Sequence, residues 1–267
     1  MSILLEFVME RSLKKTINTF DRLTNLPDNI IHDILSLLRI RDIACVCTLS
    51  RRLRQLCFSV PSLNIFIDRF LKTPIEQQKY NNFTAYIERF WQLRSNNREY
   101  LHCLRIANLH RDLNHDMDVR IVTWIYNATM CHVQELDLDI VVYNTCCLPF
   151  FTLNCTSLWV LKLGLHSFPL KLPNAEFNSL QDLSLKSFRI VDPLLGEWIS
   201  SNCKAITSLS LRSFCGASNL NITSSCLQDL KIETMTCIGY CYCQEGIRVS
   251  GNCWYCCHRR SYCEGQD

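Results

Sequence analysis

The sequence predicts an α+β chain: a small helical module, then an α/β solenoid of short parallel strands with helices on the convex side. Three observations lead there. A run from Asp21 to Cys57 carries apolar residues at helical spacing on two successive segments. From residue 101 onward a leucine pattern returns six times at intervals of 21 to 32 residues. The chain of 267 residues has a net charge of +3 and no run of eighteen apolar residues, so nothing points to a membrane or nucleic-acid partner. The expected organisation is an N-terminal extension (1–20), the helical module (21–60), a connecting helical region (61–100), the repeats (101–236) and a cysteine-rich tail (237–267).

In the module, Asn25 is a candidate cap and Pro27 suits the first helical position, where no amide bond is lost. Asp28 lies where the helix dipole favours a negative charge. Ile30, Ile31, Ile34, Leu35 and Leu38 then read as one apolar stripe, with His32, Asp33 and Ser36 opposite. Asp42 is a second candidate cap, and Ile43, Val46, Leu49, Leu53 and Leu56 continue the periodicity, leaving Arg51, Arg52 and Arg54 on a solvated basic face. About forty residues rarely bury a whole core, so the spare apolar face needs a partner.

Leu26-Pro27-Asp28, Ile30-Ile31, Ile34 through Leu38, Arg41-Asp42 and Ser50 through Arg54 resemble an F-box. Leu53 stands where members usually have Trp, and Ile40 where they often have Pro. The resemblance implies docking on the Skp-type adaptor of a cullin–RING ubiquitin ligase. The residues it nominates for that contact are Leu26, Pro27, Ile30, Ile31, Ile34, Leu35 and Leu38. Some of them must pack internally, and the spacing alone does not sort them.

Beyond the module, Ile65, Phe66, Ile67, Phe70 and Leu71 suggest a strand or short helix. Phe83, Tyr86, Ile87, Phe90 and Arg94 step along one amphipathic helix that Asn96-Asn97 ends. The repeats follow as Leu101-x-x-Leu104-x-Ile106, Val133-x-x-Leu136-x-Leu138, Leu158-x-x-Leu161-x-Leu163, Leu180-x-x-Leu183-x-Leu185, Ile206-x-x-Leu209-x-Leu211 and Leu227-x-x-Leu230-x-Ile232. Leucine-rich repeats have this core and period. The strand alternation sends the leucines inward and aims Asp137, Lys162, Ser184 and Ser210 outward, onto the expected target face. Convex helices are expected over 116–130, with Val119, Val122, Trp124, Ile125 and Ala128, and after Asp192-Pro193, with Leu194, Leu195, Trp198 and Ile199. Trp124-Ile125-x-x-Ala128, Glu135-Leu136-Asp137-Leu138, Leu148-Pro149 and Ser157-Leu158-x-x-Leu161-Lys162-Leu163 are similar to the plant F-box/leucine-rich-repeat family. Such members commonly continue into more repeats and a further domain, which makes this chain look like a shortened one.

Of eighteen cysteines, eleven are scattered through residues 1–236, as small buried hydrophobes of a reducing compartment would be, and seven crowd into the last 31 positions. Cys237/Cys241 and Cys253/Cys256 have the paired spacing of a zinc site. The plainer reading is a degenerate last repeat, poorly ordered, in which Ile247-x-Val249 is a remnant strand. It would leave an apolar end exposed near Leu227–Ile232.

The function expected is a non-catalytic substrate receptor of a ubiquitin ligase, reaching a cullin through the adaptor and binding an unidentified target protein. The alternative is an interaction scaffold or decayed paralogue without a ligase role. No cofactor, metal, nucleic acid or membrane is expected, and the setting would be cytoplasmic or nuclear. His32, His102, His110, His115 and His132 fall in no recognised catalytic motif.

Overall fold

The computed structural model describes residues 23, 25–67, 73–97, 100–108, 115–141, 155–170, 176–190, 194–214, 220–234, 247–250 and 254–257. The chain divides into two compact units, Met1–Leu101 and His102–Asp267.

In the first unit, three short helices, α1 (Asp28–Ser36), α2 (Ile40–Val46) and α3 (Arg51–Phe58), precede a strand, β1 (Ser62–Phe66), and a long helix, α4 (Pro74–Asn97). Pro27 is the N-cap of α1, one position earlier than the sequence suggests, and Asn25 lies in the preceding turn. The second apolar run is two helices rather than one. Ser50 interrupts it and caps α3, its Oγ accepting the Leu53 amide at 3.1 Å. Leu49, in the break, is exposed. Arg39 caps α2, which leaves Asp42 in its first turn rather than at its cap. Ile65 and Phe66 end the strand β1, Phe70 and Leu71 lie outside the described residues, and Asn64 of β1 donates from Nδ2 to the Ser36 and Leu38 carbonyls at 2.8 and 3.2 Å. It thereby satisfies acceptors that the end of α1 leaves open. Thr73 starts α4 well before Phe83, because its hydroxyl accepts the Glu76 amide at 3.3 Å and Pro74 follows it.

Of the stripe that the spacing marks on α4, Phe83, Ile87, Phe90 and Arg94 are buried and Tyr86 is half-buried, and Tyr80, Thr84 and Trp91 are buried beside them. Arg94 is wholly buried and serves three carbonyls: Nη1 donates to Phe58 O at 3.2 Å and Val60 O at 2.7 Å, and Nη2 donates to Tyr100 O. These bonds hold the α3–β1 turn and the end of the unit to one helix.

In the second unit, β2 (Cys103–Asn108), β3 (Glu135–Ile140), β4 (Val160–Leu170), β5 (Asp182–Ile190), β6 (Ser208–Phe214), β8 (Asp229–Thr234) and β10 (Trp254–Cys257) lie side by side in that order, every pair parallel. The sheet is open. Leu104, Leu136, Leu161, Leu183, Leu209 and Leu230 align in one register row, and Ile106, Leu138, Leu163, Leu185, Leu211 and Ile232 in the next. All twelve are buried, as are the six apolar residues that open the repeats. Each such side chain stabilises by about 1.5–3 kcal/mol, provided its neighbour strand is present.

Helix α5 (His115–Met130) lies between β2 and β3 in sequence, and α6 (Leu195–Asn202) between β5 and β6. Trp124, Ile125 and Ala128 are buried as expected, whereas Val119 is exposed on the far face. The helix stops without glycine: His132 takes φ 54°, and the Val133 amide reaches back to Ala128 O at 3.2 Å. Asp192 and Pro193 lie outside the described residues; Leu194 is the N-cap of α6 and is itself exposed. Strand β7 (Leu220–Thr223) packs on α6 and pairs with β9 (Ile247–Ser250).

The repeat strands end in a kink. Ser187 and Ser213 have φ 54° and 55°, which turns the following Phe188 and Phe214 inward, where their rings stack at 5.3 Å. The tail also departs from expectation. Ile247–Ser250 is a strand, but it pairs with β7, while Trp254–Cys257 extends the main sheet by pairing with β8. Leu227, Leu230 and Ile232 are therefore buried rather than an exposed end. Backbone pairing needs no leucine, so the sheet continues past the point where the leucine pattern stops. Of the candidate zinc ligands, Cys237, Cys241 and Cys253 lie outside the described residues.

Two outcomes follow for stability. Arg94→Ala leaves buried carbonyls without donors and should cost about 2–4 kcal/mol in denaturant unfolding; an unchanged midpoint would show the guanidinium to be dispensable. Gly196→Ala in α6 would place a Cβ 2.0 Å from the Asn221 carbonyl oxygen of β7. It should cost about 1–3 kcal/mol, and a neutral or stabilising result would contradict the close approach of helix and strand.

Candidate functional site

The residues nominated from the sequence fall on two surfaces, one in each unit. On α1 the nominated stripe separates into two faces. Ile31 and Leu35 are 0% and 1% exposed and belong to the core of the first unit. Ile30 and Ile34 are 40% and 37% exposed, and Leu37, which the sequence reading did not single out, is 85% exposed. Positions 30, 34 and 37 share one side of a helix, so they form an open apolar strip. Pro27 is exposed at its start, and Leu26 and Leu38 are half-buried. The signal for this division was available: the nominated apolar residues cover more of the helix circumference than one contact can use. His32 does not lie opposite the core; it turns inward, its Nε2 3.0 Å from Ser59 Oγ.

The strip is held from behind. Arg52 of α3 bonds the Asp28 carboxylate, at 3.2 Å from Nε, and donates from Nη2 to Leu26 O at 2.7 Å. Arg54 donates to Cys47 O at 3.1 Å. Two of the three arginines taken as a solvated face thus fix the entry to α1 and the end of α2. Cys47 and Cys57 lie together behind them. Hydrogen bonding from Cys57 holds the Cys47 thiol below its usual range, while the same contact and burial push Cys57 up.

The second surface is the outward face of the sheet. Asp137, Lys162, Ser184 and Ser210 occupy one register row of β3–β6, with Arg105 before them and Lys231 after. All four are half-buried between buried leucines. Arg105 bonds Asp137 at 2.8 Å, and Lys231 bonds Glu233 at 3.2 Å. One row toward the strand ends, Gly164 faces Asp139, whose carboxylate fills the space a side chain there would take. His166, in a left-handed conformation at φ 47°, places Nε2 2.6 Å from that carboxylate. One row the other way, burial pushes the Asp182 carboxyl above the usual range, with Lys162 opposing.

Catalytic groupings are sparse among the described residues. Ser59 Oγ, beside His32, also lies within hydrogen-bond reach of Leu56 O at 3.3 Å and Gln55 O at 3.4 Å at the end of α3. Burial pushes the Cys103 and Cys203 thiols up to about 11 and about 12, away from the thiolate that a nucleophile needs. Among the described residues, no group of three or more His, Cys, Asp or Glu is placed to hold a metal, and no helix is long and apolar enough to cross a membrane.

Known proteins resemble both units. The F-box domain matches residues 23–64, and the leucine-rich repeats of the FBD-associated F-box protein At5g56370 match residues 121–249. In Arabidopsis thaliana, F-box/LRR-repeat protein 13 is 29% identical over 202 residues, covering 73% of this chain and 42% of its own length. The FBD-associated F-box protein At4g13985 is 27% identical over 231 residues, covering 81% of this chain and 46% of its own. F-box/LRR-repeat protein At4g14103 is 29% identical over 150 residues, covering 56% and 38%. The chain thus spans less than half the length of these relatives. No solved structure matches it. The chain thus resembles the Arabidopsis F-box/leucine-rich-repeat proteins in both parts, with an F-box match over residues 23–64 and a leucine-rich-repeat match over residues 121–249.

Proposed function

We propose that this chain is the substrate-recognition subunit of a cullin–RING ubiquitin ligase. Its F-box docks on a Skp-type adaptor, which links it to a cullin, and its repeats form a short solenoid whose outward sheet face holds a target protein. The chain performs no chemistry in this reading; it brings the target to a ubiquitin-conjugating enzyme recruited elsewhere in the complex. Such work belongs in the cytoplasm or nucleus.

One observation carries the docking assignment. The first unit already buries Ile31, Leu35, Ile43, Leu53 and Phe90, yet leaves Ile30, Ile34 and Leu37 open along one face of α1. An exposed apolar strip on a helix with a finished core behind it favours a partner. Of the nominated contacts, Ile31 and Leu35 therefore act as core, and Pro27, Ile30 and Ile34, joined by Leu37, as the docking surface. Leu26 and Leu38 flank it.

The division makes the test selective. Ile34→Asp puts a carboxylate on a solvated face, so the free chain should fold normally. In the complex that charge would be desolvated, at a cost of about 3 kcal/mol, or more than a hundredfold in affinity. Co-purification with a plant Skp-type adaptor should succeed for the wild type and for Lys162→Ala, and fail for Ile34→Asp. A well-folded wild type that captures no adaptor would sink the ligase reading and favour an interaction scaffold.

A further inference from the structure

The outward sheet face carries a charge arrangement that the fold does not need. Lys186 of β5 and Arg212 of β6 are direct register partners on adjacent strands. Like charges placed so cost the sheet stability. Their neighbours are matched: Arg105 with Asp137, His166 with Asp139, and Lys231 with Glu233. Among the described residues, neither Lys186 nor Arg212 has an ion pair.

The surroundings keep the pair open. Gly164 is the other register neighbour of Lys186 and offers no side chain, and the Asp139 carboxylate above it is already bonded to His166. Glu233 lies beside Arg212 in register but is within 3.2 Å of Lys231 Nζ. Two residues back along the same strands stand the small hydroxyls of Ser184 and Ser210. Ser210 Oγ accepts from Arg212 Nε at 3.0 Å, which orients the guanidinium and leaves its Nη end free to bind. Lys162, the strand neighbour of Ser184, supplies a third cation.

We propose that Lys186 and Arg212, with Lys162 beside them, take the aspartate and glutamate side chains of an extended acidic segment in the target protein. This rests on the reading of the outward face as the target surface. The three cations stand on successive strands spaced about 4.8 Å apart, with Lys162 two residues, or about 7 Å, back along its strand, so they spread over roughly 10 Å or more on a diagonal. A single compact anion meets only part of such an array. The carboxylates of an extended chain recur on one side about every 7 Å and can meet it charge by charge. Glu135, Asp182 and Asp229 lie one outward row before Lys162 and two before Lys186 and Arg212, so the strand-start side of the face is acidic and the three cations stand beyond it. That polarity would set the segment's position along the strands.

The test uses the full chain and a fluorescein-labelled dodecapeptide of alternating Glu and Ser, read by fluorescence anisotropy. A second peptide replaces every Glu with Gln, and a third carries one phosphoserine among Gln and Ser. The Glu peptide should bind, weaken with added salt, and lose about tenfold or more in affinity with Lys186→Glu. The same substitution replaces a repulsive pair with an attractive one and should raise the melting midpoint by about 1–3 °C. A purely structural lysine would not couple lost binding to a gain in stability. Equal binding by Lys186→Glu, or binding of the phosphoserine peptide alone, would overturn the proposal. Adaptor capture by the same preparations separates the two readings. Capture without Glu-peptide binding removes the acidic-segment assignment and leaves the receptor role standing. Glu-peptide binding without capture does the reverse.

Discussion

A leucine on a six-residue strand has no core of its own; it is buried by the leucine at the same register on the next strand. That dependence on neighbours organises the second unit. Leu136 is covered by Leu104 and Leu161, Leu183 by Leu161 and Leu209, and the same relation continues along the row to Leu230. Backbone bonds reinforce it, for the residue opening each strand donates to the preceding repeat, as Asp182 does to Trp159 O and Ser208 to Gln181 O, both at 2.9 Å. The consequence for function is direct. Once alternate residues are committed inward, the others are displayed in rows about 4.8 Å apart, and charge can be arranged on them without disturbing the core.

The first unit meets the opposite constraint. Its first three helices, of seven to nine residues, are too short to stabilise themselves, so polar groups at their ends finish them. Asn64 closes the end of α1, Ser50 opens α3, and Arg94 gathers the carbonyls of Phe58, Val60 and Tyr100. With the ends and core supplied in this way, the outer face of α1 is free to carry Ile30, Ile34 and Leu37.

Features that repeat were legible in the sequence. The six leucine registers, the α4 stripe through Arg94 and the helix ending near Met130 follow from periodicity, because burial at a fixed period leaves its mark on residue type. Features set by one contact were not. Nothing in the spacing of Ile30, Ile31, Ile34 and Leu35 says which pair faces the core, since α3 and β1 decide that from outside the helix. Val119 has the residue type of a buried position and is exposed, because only the side of α5 that carries Trp124, Ile125 and Ala128 is covered. The kinks at Ser187 and Ser213, with the stacked Phe188 and Phe214, were hidden because serine carries no preference for a left-handed backbone. Trp254–Cys257 joins the sheet by backbone pairing, to which a leucine pattern is blind. The cation pair on the outward face needed the register itself, as Lys186 and Arg212 lie far apart in the chain.

The central claim is that one face of α1 is for docking and the other for packing. Hydrogen–deuterium exchange of the full chain, with and without a plant Skp-type adaptor, tests it most directly. The account predicts added protection in the peptides covering residues 26–38, and none in those covering β4 to β6, which carry the proposed target face. Protection confined to the repeats, or none near α1 when the adaptor is bound, would contradict it.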